Sequence, residues 1–351
     1  MVGNHSVERI LANLAPHFDT DVAVVEVPYE SRGILPRIRN VLFVARLPHA
    51  VIHVMGDIQY CAIGGRGRPV LLTILDLVSI RRLQGLRKRI LELVWYKVPL
   101  RLATQVSVIS PAVARELVSC FPETASRLNV IPCPVDPAFV VAPRREEPKP
   151  WRGRVLVVGG SWNKNVEMII QAVMPLKLTI DLVARPNECA RYAARLPGRV
   201  RPHYGLEDAA LLELYAAADV LLFPSTYEGF GLPILEAQGA GTPVITSARE
   251  PMSWVAGAGA LLVNPVSVPS IRQALVQLAE DRQLRTSLQI AGYQNVDRFR
   301  ASDIVRQYMD IYRLLLRSAG QCQAGNRVAP SYRFWQASGT ESGHLPARDN
   351  G

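Results

Sequence analysis

Short apolar runs alternate with helix-length amphipathic segments along both halves of the chain. Strands that alternate with helices in this way predict parallel sheets with crossover helices. The pattern therefore predicts an α/β fold built from two Rossmann-like domains. The strand-like runs are residues 21–27, 50–53, 70–74, 105–109 and 129–131 in the first half, and 154–158, 179–183, 220–223, 244–246 and 260–262 in the second.

The boundary between the halves is predicted in residues 141–150, which are charged, rich in proline and without hydrophobic periodicity. We therefore expect an N-terminal domain over residues 1–142 and a C-terminal domain over residues 151–300. An amphipathic pattern predicts a helix over residues 302–317. Residues 321–351 lack periodicity and contain many Gly, Ser and Pro residues, so a disordered tail is expected there.

Composition narrows the class of protein. The chain has 351 residues, no apolar stretch of eighteen residues, and five cysteines without a CxxC pair. No signal peptide is recognisable, so we expect a cytoplasmic protein without disulfides or a metal site. The formal net charge of +10 is compatible with nucleic acid, an anionic membrane or phosphate-bearing substrates. No nucleic-acid reader motif is present, which makes nucleic acid the least favoured partner.

Residues 81–101 contain a cluster of arginines and lysines that is interleaved with leucines, isoleucines and Trp95. The basic residues are Arg81, Arg82, Arg87, Lys88, Arg89, Lys97 and Arg101. This pattern is typical of a basic amphipathic helix that lies on an anionic membrane surface. The alternative interpretation is an ordinary outer helix of the α/β domain, whose apolar stripe faces the sheet. The first interpretation predicts a peripheral protein on the inner face of the cell membrane.

The candidate chemistry is concentrated in residues 224–237. Two glutamates, Glu228 and Glu236, stand eight positions apart on either side of a glycine-rich turn that follows a strand-like run. Backbone N–H groups around Gly231 and Leu232 would point toward an anion, and the helix dipole would add to that attraction. The run therefore predicts a diphosphate site beside two carboxylates that can hold hydroxyl groups. The alternative interpretation is a strand-to-helix turn without a ligand, in which an acidic residue near the helix N-terminus only stabilises the helix.

This run resembles the Glu-x7-Glu signature of the family 4 retaining glycosyltransferases, which have the GT-B fold. The resemblance implies that Glu228 lies against the donor sugar and that Glu236 accepts hydrogen bonds from the ribose hydroxyls. It extends over nearly the whole chain and includes enzymes of bacterial surface-polysaccharide biosynthesis, mannosyltransferases among them.

A second loop supports the same ligand. Gly159 and Gly160 follow a strand-like run and precede Lys164 at a predicted helix start, a suitable place for a phosphate. The loop resembles the family's Gly…Arg-Lys-Asn motif, with Asn163 in place of the arginine. A dinucleotide site is disfavoured because no G-x-G-x-x-G occurs in a suitable context. The predicted donor-binding residues are Gly159, Gly160, Lys164, Asn165, Gly229, Phe230, Gly231, Leu232 and Glu236.

The predicted catalytic residues are Glu228, His53 and Asp76. Relatives carry His-Asp where this chain has Leu75-Asp76, and His53 at a neighbouring strand end is the substitute candidate, with a structural role as the alternative. The chain also begins in the loop after the family's first strand, so the first strand is predicted to be missing. Either the true start lies upstream or the N-terminal domain is compromised.

These features predict a metal-independent transferase that uses no cofactor. It would move a sugar, mannose being one candidate, from a nucleoside diphosphate donor to a glycan or polyprenyl-linked acceptor with retention of configuration. Two alternatives stay open. One is a catalytically impaired protein that binds nucleotide sugar, and the other is a GT-B-fold nucleotide-sugar epimerase.

Overall fold

The computed structural model describes residues 5–78, 80, 85–141, 150–322 and 331–335. Within them the chain forms two parallel six-stranded sheets, one in each half. The boundary segment 142–149 lies outside the described residues, as do 81–84 of the predicted membrane segment. No helix in the described part of the chain combines the length and apolar character that crossing a membrane requires.

In the N-terminal sheet, residues 52–55 and 70–74 are fully buried and 105–108 nearly so, because helices cover this part of the sheet, whereas 22–26 and 128–130 are partly exposed. Its strands in chain order are β1 (Val22–Glu26), β2 (Ile52–Met55), β3 (Val70–Ile74), β4 (Gln105–Val108) and β5 (Leu128–Val130). The helices around them are α1 (His5–Leu14), α2 (Ile34–Ala45), α3 (Gly85–Leu91), α4 (Val98–Leu102) and α5 (Pro111–Cys120). A π-helical turn, Glu92–Lys97, joins α3 to α4, and a 3₁₀ segment, Gln59–Gly65, follows β2.

The C-terminal half follows the same alternation. Its strands are β6 (Arg154–Val158), β7 (Thr179–Val183), β8 (Val200–His203), β9 (Val220–Phe223), β10 (Val244–Ser247) and β11 (Ala260–Val263). Its helices are α6 (Val166–Val173), α7 (Pro186–Ala193), α8 (Asp208–Ala217), α9 (Leu232–Gly239), α10 (Met252–Ala256), α11 (Val268–Glu280), α12 (Arg282–Val296) and α13 (Ala301–Cys322).

The strand order of the C-terminal sheet is β11-β10-β9-β6-β7-β8. From β6 the chain builds outward through β7 and β8, and then returns to place β9 on the other side of β6. The β6–β9 junction is therefore a topological switch point, where loops at the carboxyl ends of neighbouring strands open a crevice. The two loops that the sequence singled out follow these two strands.

Strand β12 (Ser331–Trp335) lies inside the N-terminal sheet, parallel to both neighbours, and the order there is β1-β12-β2-β3-β4-β5. It thus takes an interior place in the sheet from which the first strand was predicted to be missing. The sequence pattern assigned no strand to residues 331–335, because these five residues stand in a stretch without periodicity. Their aromatic residues nevertheless favour a strand. Residues 323–330 and 336–351 of the predicted tail lie outside the described residues.

Helix α13 packs on the N-terminal domain. Tyr308, Tyr312 and Leu315 are each about 1% exposed, and the Tyr312 ring lies 6.3 Å from the Phe18 ring, centroid to centroid. Apolar residues of this helix and of the N-terminal sheet belong to one continuous core. The last helix therefore ties the end of the C-terminal half to the first domain.

Candidate active site

The loops after β6 and β9 are joined by hydrogen bonds at the switch point. The backbone N–H of Thr226 donates to the carbonyl of Asn163 over 2.8 Å. The side-chain amide of Asn165 donates to the carbonyls of Pro224 and Pro265, over 3.1 and 2.6 Å. Asn165 holds a left-handed backbone conformation with φ of 61°, which asparagine tolerates better than most residues. Asn165 therefore connects the loops, and its role in donor binding stays a prediction.

Lys164 and Glu228 form the centre of the site. Lys164 Nζ lies 2.8 Å from Glu228 Oε1, and their side chains are 18% and 13% exposed. Asn163 Nδ2 also approaches Glu228 Oε1, at 3.3 Å, so the residue that replaces the family's arginine helps to hold the glutamate. The ammonium of Lys164 stands 4.5 Å above the Phe223 ring. The structure thus brings the predicted cation and the predicted sugar-binding carboxylate into one ion pair.

Two glycines make room for this arrangement. Gly159 has φ of +94°, and a Cβ at that position would lie 2.8 Å from the Lys164 side chain. A Cβ at Gly160 would lie 2.7 Å from the carboxylate of Glu188. Since side chains need more space than this, Gly159 is required for the close approach of the Lys164 side chain, and Gly160 for that of Glu188.

The N-terminus of α9 completes the donor side. Gly231 precedes the helix with φ of +117°. The N–H of Leu232, the first helical residue, has no partner within the helix, whereas Pro233 has no N–H and the N–H of Ile234 donates to the Gly231 carbonyl over 3.0 Å. The ring of Phe230, a predicted donor-binding residue, is 5% exposed and packs edge-on against Trp254 and Phe299. Its ring thus supports the loop from within the core.

Glu236 lies one turn inside α9 and is 5% exposed. The hydroxyl of Tyr215 donates to its Oε2 over 2.6 Å, and Arg9 of α1 approaches its Oε1 at 3.4 Å. Burial raises the pKa of this carboxyl, while the hydrogen bond from Tyr215 and the charge of Arg9 oppose the rise. Arg9 also pairs with Asp208 and lies 3.7 Å from Asp136. The sequence pattern pointed to neither Arg9 nor Tyr215.

The two domains meet at Gly229. Its carbonyl accepts a hydrogen bond from the Ser110 hydroxyl over 2.9 Å. A Cβ on Gly229 would lie 2.5 Å from the carbonyl oxygen of Leu75 and 3.3 Å from Cβ of Asp76. The loop that carries Glu228 is therefore in direct contact with the end of β3. Asp76 lies on the other side of this junction, where the sequence predicted it.

Carboxylates accumulate on the N-terminal side of the junction. Burial, with the charges of Glu116 and Glu228, raises the pKa of Asp76. Glu116 also accepts a hydrogen bond from the Tyr227 hydroxyl at 3.1 Å. Like charges so close together favour protonation of one of them or binding of hydroxyl donors.

Asp57, which follows β2, is a further member of this group. The side chain of Asp57 is exposed. Partial desolvation by the surrounding protein and the charge of Asp76 nevertheless raise its pKa to about 6, against the opposing effects of Arg37 and of a hydrogen bond with Trp95. The sequence pattern placed Asp57 in a strand-end loop but assigned it no role. That position was the one signal that could have identified it.

The prediction for His53 needs correction. His53 is fully buried; its Nδ1 lies 2.7 Å from the Tyr312 hydroxyl and its Nε2 lies 2.7 Å from the Thr73 hydroxyl. Both ring nitrogens are thus used inside the core. The prediction was wrong because β2 is buried throughout, and helix α13, which is remote in sequence, packs over His53 through Tyr312. His53 has the structural role that was the alternative.

Among the described residues, no three His, Cys, Asp or Glu side chains gather in a way that could hold a metal ion. The site's described chemistry is that of one lysine, a helix N-terminus and several carboxylates. Such a set can bind a diphosphate and hydroxyl groups.

Comparisons with known proteins agree with this geometry. Residues 152–281 match the family described as Glycosyl transferases group 1. O-antigen chain mannosyltransferase B of Escherichia coli is 36% identical over 108 residues, 31% of this chain and 28% of that protein. MMP alpha-(1->4)-mannosyltransferase of Mycolicibacterium hassiacum is 27% identical over 249 residues, 65% of this chain and 60% of that protein. The chain thus spans less than two thirds of either relative.

The structure of Anabaena Alr3699/HepE in complex with UDP and glucose matches with a TM-score of 0.65 and 20% identity, over 82% of this chain and 84% of that one. Together with the two parallel-sheet domains, the structural likeness shows that the chain has the GT-B fold. The matches also confirm its resemblance to the family 4 glycosyltransferases of polysaccharide biosynthesis.

Proposed function

We propose that the chain is a retaining, metal-independent glycosyltransferase. It moves a sugar, mannose being the favoured one, from a nucleoside diphosphate donor to a hydroxyl of a glycan or lipid-linked acceptor. The observation that carries the proposal is the Lys164–Glu228 pair beside the N-terminus of α9, at the switch point of the C-terminal sheet. The mannosyltransferase names of two relatives support the sugar, and the UDP and glucose in a structural neighbour support the donor class.

In this proposal the donor diphosphate lies between Lys164 and the first N–H groups of α9. Negative charge grows on the diphosphate as the sugar leaves, and fixed cationic and dipolar groups stabilise that charge without reorganisation. Glu228, which Lys164 and Asn163 hold in place, accepts hydrogen bonds from sugar hydroxyls. Glu236 serves the ribose, and Tyr215 fixes its orientation.

The acceptor comes from the N-terminal side. Asp57 and Asp76 lie beyond the ends of β2 and β3. Desolvation and neighbouring carboxylates raise the pKa of each, although Asp57 is exposed and Asp76 is partly buried. A carboxyl group in such surroundings is a good partner for an acceptor hydroxyl, which it can orient and whose proton it can share. The contact of Gly229 with Leu75 and Asp76 supports a position of Asp76 beside the donor loop. Protein on both sides of that contact would limit the access of water to the reacting atoms.

Thermal unfolding with nucleotides tests the donor part. The melting temperature of the full chain would be measured with GDP, UDP, GDP-mannose and UDP-glucose, because a ligand that binds the native state raises it. We expect one nucleotide pair to raise it, and Lys164→Ala and Glu236→Gln to weaken the rise. Lys177→Ala, a change at an exposed lysine of the same domain, is the matched control. No shift with any nucleotide, or equal loss in the control, would contradict the proposal.

A second candidate is a nucleotide-sugar-binding protein without turnover. Leu75 in place of the family's histidine favours it, as does the burial of His53, because the described cleft then has no histidine at either strand end. Measurement of donor hydrolysis and transfer separates the two. Persistent nucleotide binding without either reaction favours this second candidate.

We also propose a peripheral position on the inner face of the cell membrane, where anionic lipids attract basic surfaces. The segment predicted for this role, residues 81–101, is described from residue 85 onward. In it Arg89, Lys97 and Arg101 are exposed, as are the apolar side chains of Ile90 and Leu93. Exposure of both kinds of side chain supports the assignment.

A further inference from the structure

Helix α2 exposes a stripe of large apolar side chains. Ile34 and Leu35 are 74% and 69% exposed, and Ile38 and Leu42 are 48% and 49% exposed. Residues 34, 38 and 42 are four positions apart, so they lie along one side of the helix. Asn40 and Val44 are buried on the other side. The helix therefore already has an apolar contact with its own domain, and the exposed stripe is additional to it.

Arginines border this stripe. Arg39 and Arg46 are exposed, and on a helical wheel both fall beside Leu35 and Leu42. Arg32, just before the helix, has a side chain that is 89% exposed and lies 3.4 Å from Glu30. The sequence of α2 itself contains no acidic residue. We call the set Ile34, Leu35, Ile38, Leu42, Arg32, Arg39 and Arg46 the α2 surface.

The α2 surface adjoins the segment already assigned to the membrane. The guanidinium of Arg37, on α2, stands 4.5 Å from the ring of Trp95. Trp95 belongs to the π-helical turn after α3, and Tyr60 packs against it with ring centroids 5.2 Å apart. Two stretches that are about fifty positions apart in sequence thus meet on the surface of the N-terminal domain.

We propose that the α2 surface docks on an anionic phospholipid bilayer. Its apolar stripe would enter the boundary between headgroups and acyl chains, and its arginines would contact lipid phosphates. Charge complementarity selects this occupant: the borders of the stripe are basic, and the whole chain has a formal net charge of +10.

Docking would also orient the cleft. The two stretches meet at Arg37 and Trp95, and both residues interact with Asp57 of the proposed acceptor side. The charge of Arg37 and a hydrogen bond with Trp95 each oppose the rise in the pKa of Asp57. A bilayer on the α2 surface would therefore lie near the end of the cleft that receives the acceptor. This part rests on the proposed function, and it favours an acceptor whose lipid part stays in the bilayer.

Vesicle co-sedimentation of the full chain tests the docking. The probes are phosphatidylcholine vesicles with and without phosphatidylglycerol. We expect binding only when phosphatidylglycerol is present, with a decrease at high salt. The double variant Leu35→Ser/Ile38→Ser should bind at least about tenfold more weakly. Arg39→Gln/Arg46→Gln should lose roughly fivefold for each arginine.

Matched controls lie on the C-terminal domain. Leu262→Ser/Ile290→Ser changes two apolar side chains that are 47% and 53% exposed. Arg195→Gln/Arg201→Gln removes two charges from exposed positions. Both controls should bind as the unchanged chain does, and all four variants should keep its melting temperature, since the altered side chains are exposed.

Three outcomes would overturn the docking: no binding to either vesicle, equal loss in the controls, or a dimer that Leu35→Ser/Ile38→Ser dissociates while vesicle binding is unchanged. The last would identify the α2 surface as a contact between copies of the chain. The assay contains no nucleotide, so its failure is separate from failure of the proposed function. If the chain bound vesicles but no nucleotide, docking through the α2 surface would be supported and the proposed function would be contradicted.

Discussion

The proposed donor side of the cleft, in the C-terminal domain, and its proposed acceptor side, in the N-terminal domain, differ in how their charges are balanced. On the donor side Lys164 pairs with Glu228, and Glu236 lies between Tyr215 and Arg9. On the acceptor side the negative charge of Asp76 raises the pKa of Asp57, and the charges of Glu116 and Glu228 raise the pKa of Asp76, in addition to the effect of desolvation. Opposite charges hold the donor loops in one geometry. Like charges instead leave the acceptor side with carboxyl groups that hydroxyl donors can stabilise.

The difference extends to sequence. The family match covers residues 152–281, which are the donor side. Two departures lie in the N-terminal domain, namely Leu75 in place of a histidine and an interior strand that comes from residues 331–335. On the donor side the one departure named above is Asn163 in place of the arginine, and Asn163 still contacts Glu228. Donor binding is thus the part of the site with the strongest support, and experiments that separate donor binding from transfer are the most informative.

The largest effect is expected from loss of the donor-side cation. Lys164→Ala should lower kcat/KM by at least about 100-fold, because the charge that develops on the leaving diphosphate loses its fixed partner. Steady-state transfer kinetics measure this, with Lys177→Ala as the control. A loss of less than about threefold would show that the helix N-terminus alone carries the diphosphate.

The junction between the two sides can be broken at Gly229. Gly229→Ala places a Cβ 2.5 Å from the carbonyl oxygen of Leu75, so the two domains must separate locally. Overpacking of this kind costs about 1–3 kcal/mol of unfolding free energy, and transfer should fall with it. Urea unfolding and transfer rates are the measurements. Ser110→Ala adds no atom but removes two hydrogen bonds, one to the Gly229 carbonyl and one from the Val113 N–H that caps α5. It should cost about 1–2 kcal/mol of unfolding free energy but lower transfer less than Gly229→Ala does, and an equal fall in transfer would contradict a steric role for Gly229.

Tyr215→Phe tests how much the hydrogen bond between Tyr215 and Glu236 stabilises the donor side. It removes the hydroxyl that donates to buried Glu236 and should cost about 1–2 kcal/mol of unfolding free energy. Tyr204→Phe, at a side chain that is 55% exposed, is the matched control and should change it by less than about 0.5 kcal/mol. Equal stability of the two variants would mean that the hydrogen bond between Tyr215 and Glu236 makes no net contribution to the unfolding free energy.

The smallest effect concerns Asp57 and pH. Its pKa rises from 3.8 to about 6 on folding, so the native state binds more protons between these values and stability contributed by Asp57 falls as pH rises through them. Asp57→Asn should therefore be more stable than the unchanged chain above pH 6, and this advantage should shrink on acidification. Melting temperatures across this range test the sign. An advantage that grows on acidification would show that the carboxylate is stabilised by its surroundings.

The donor site was predictable to the extent that its signals are local. Gly159, Lys164 and Glu228 stand in strand-to-helix loops whose residue types reveal the anion-binding geometry, and neighbouring parallel strands bring such loops together. His53 shows the limit of this reasoning. Its position at a strand end was visible, but the direction of its side chain depended on Tyr312, far along the chain.

The family resemblance implied the GT-B fold. The pattern of the sequence by itself determined the alternation of strands and helices, and with it the two Rossmann-like domains and the loops that carry Lys164, Glu228 and Asp76. These follow from periodicity and backbone preferences, which act between near neighbours. Only the tertiary structure decided that Arg9 and Tyr215 hold Glu236, that Asp57 joins the acceptor side, that residues 331–335 lie inside the first sheet, and that α2 exposes an apolar stripe. Each of these depends on packing between residues remote in the chain, which periodicity does not encode.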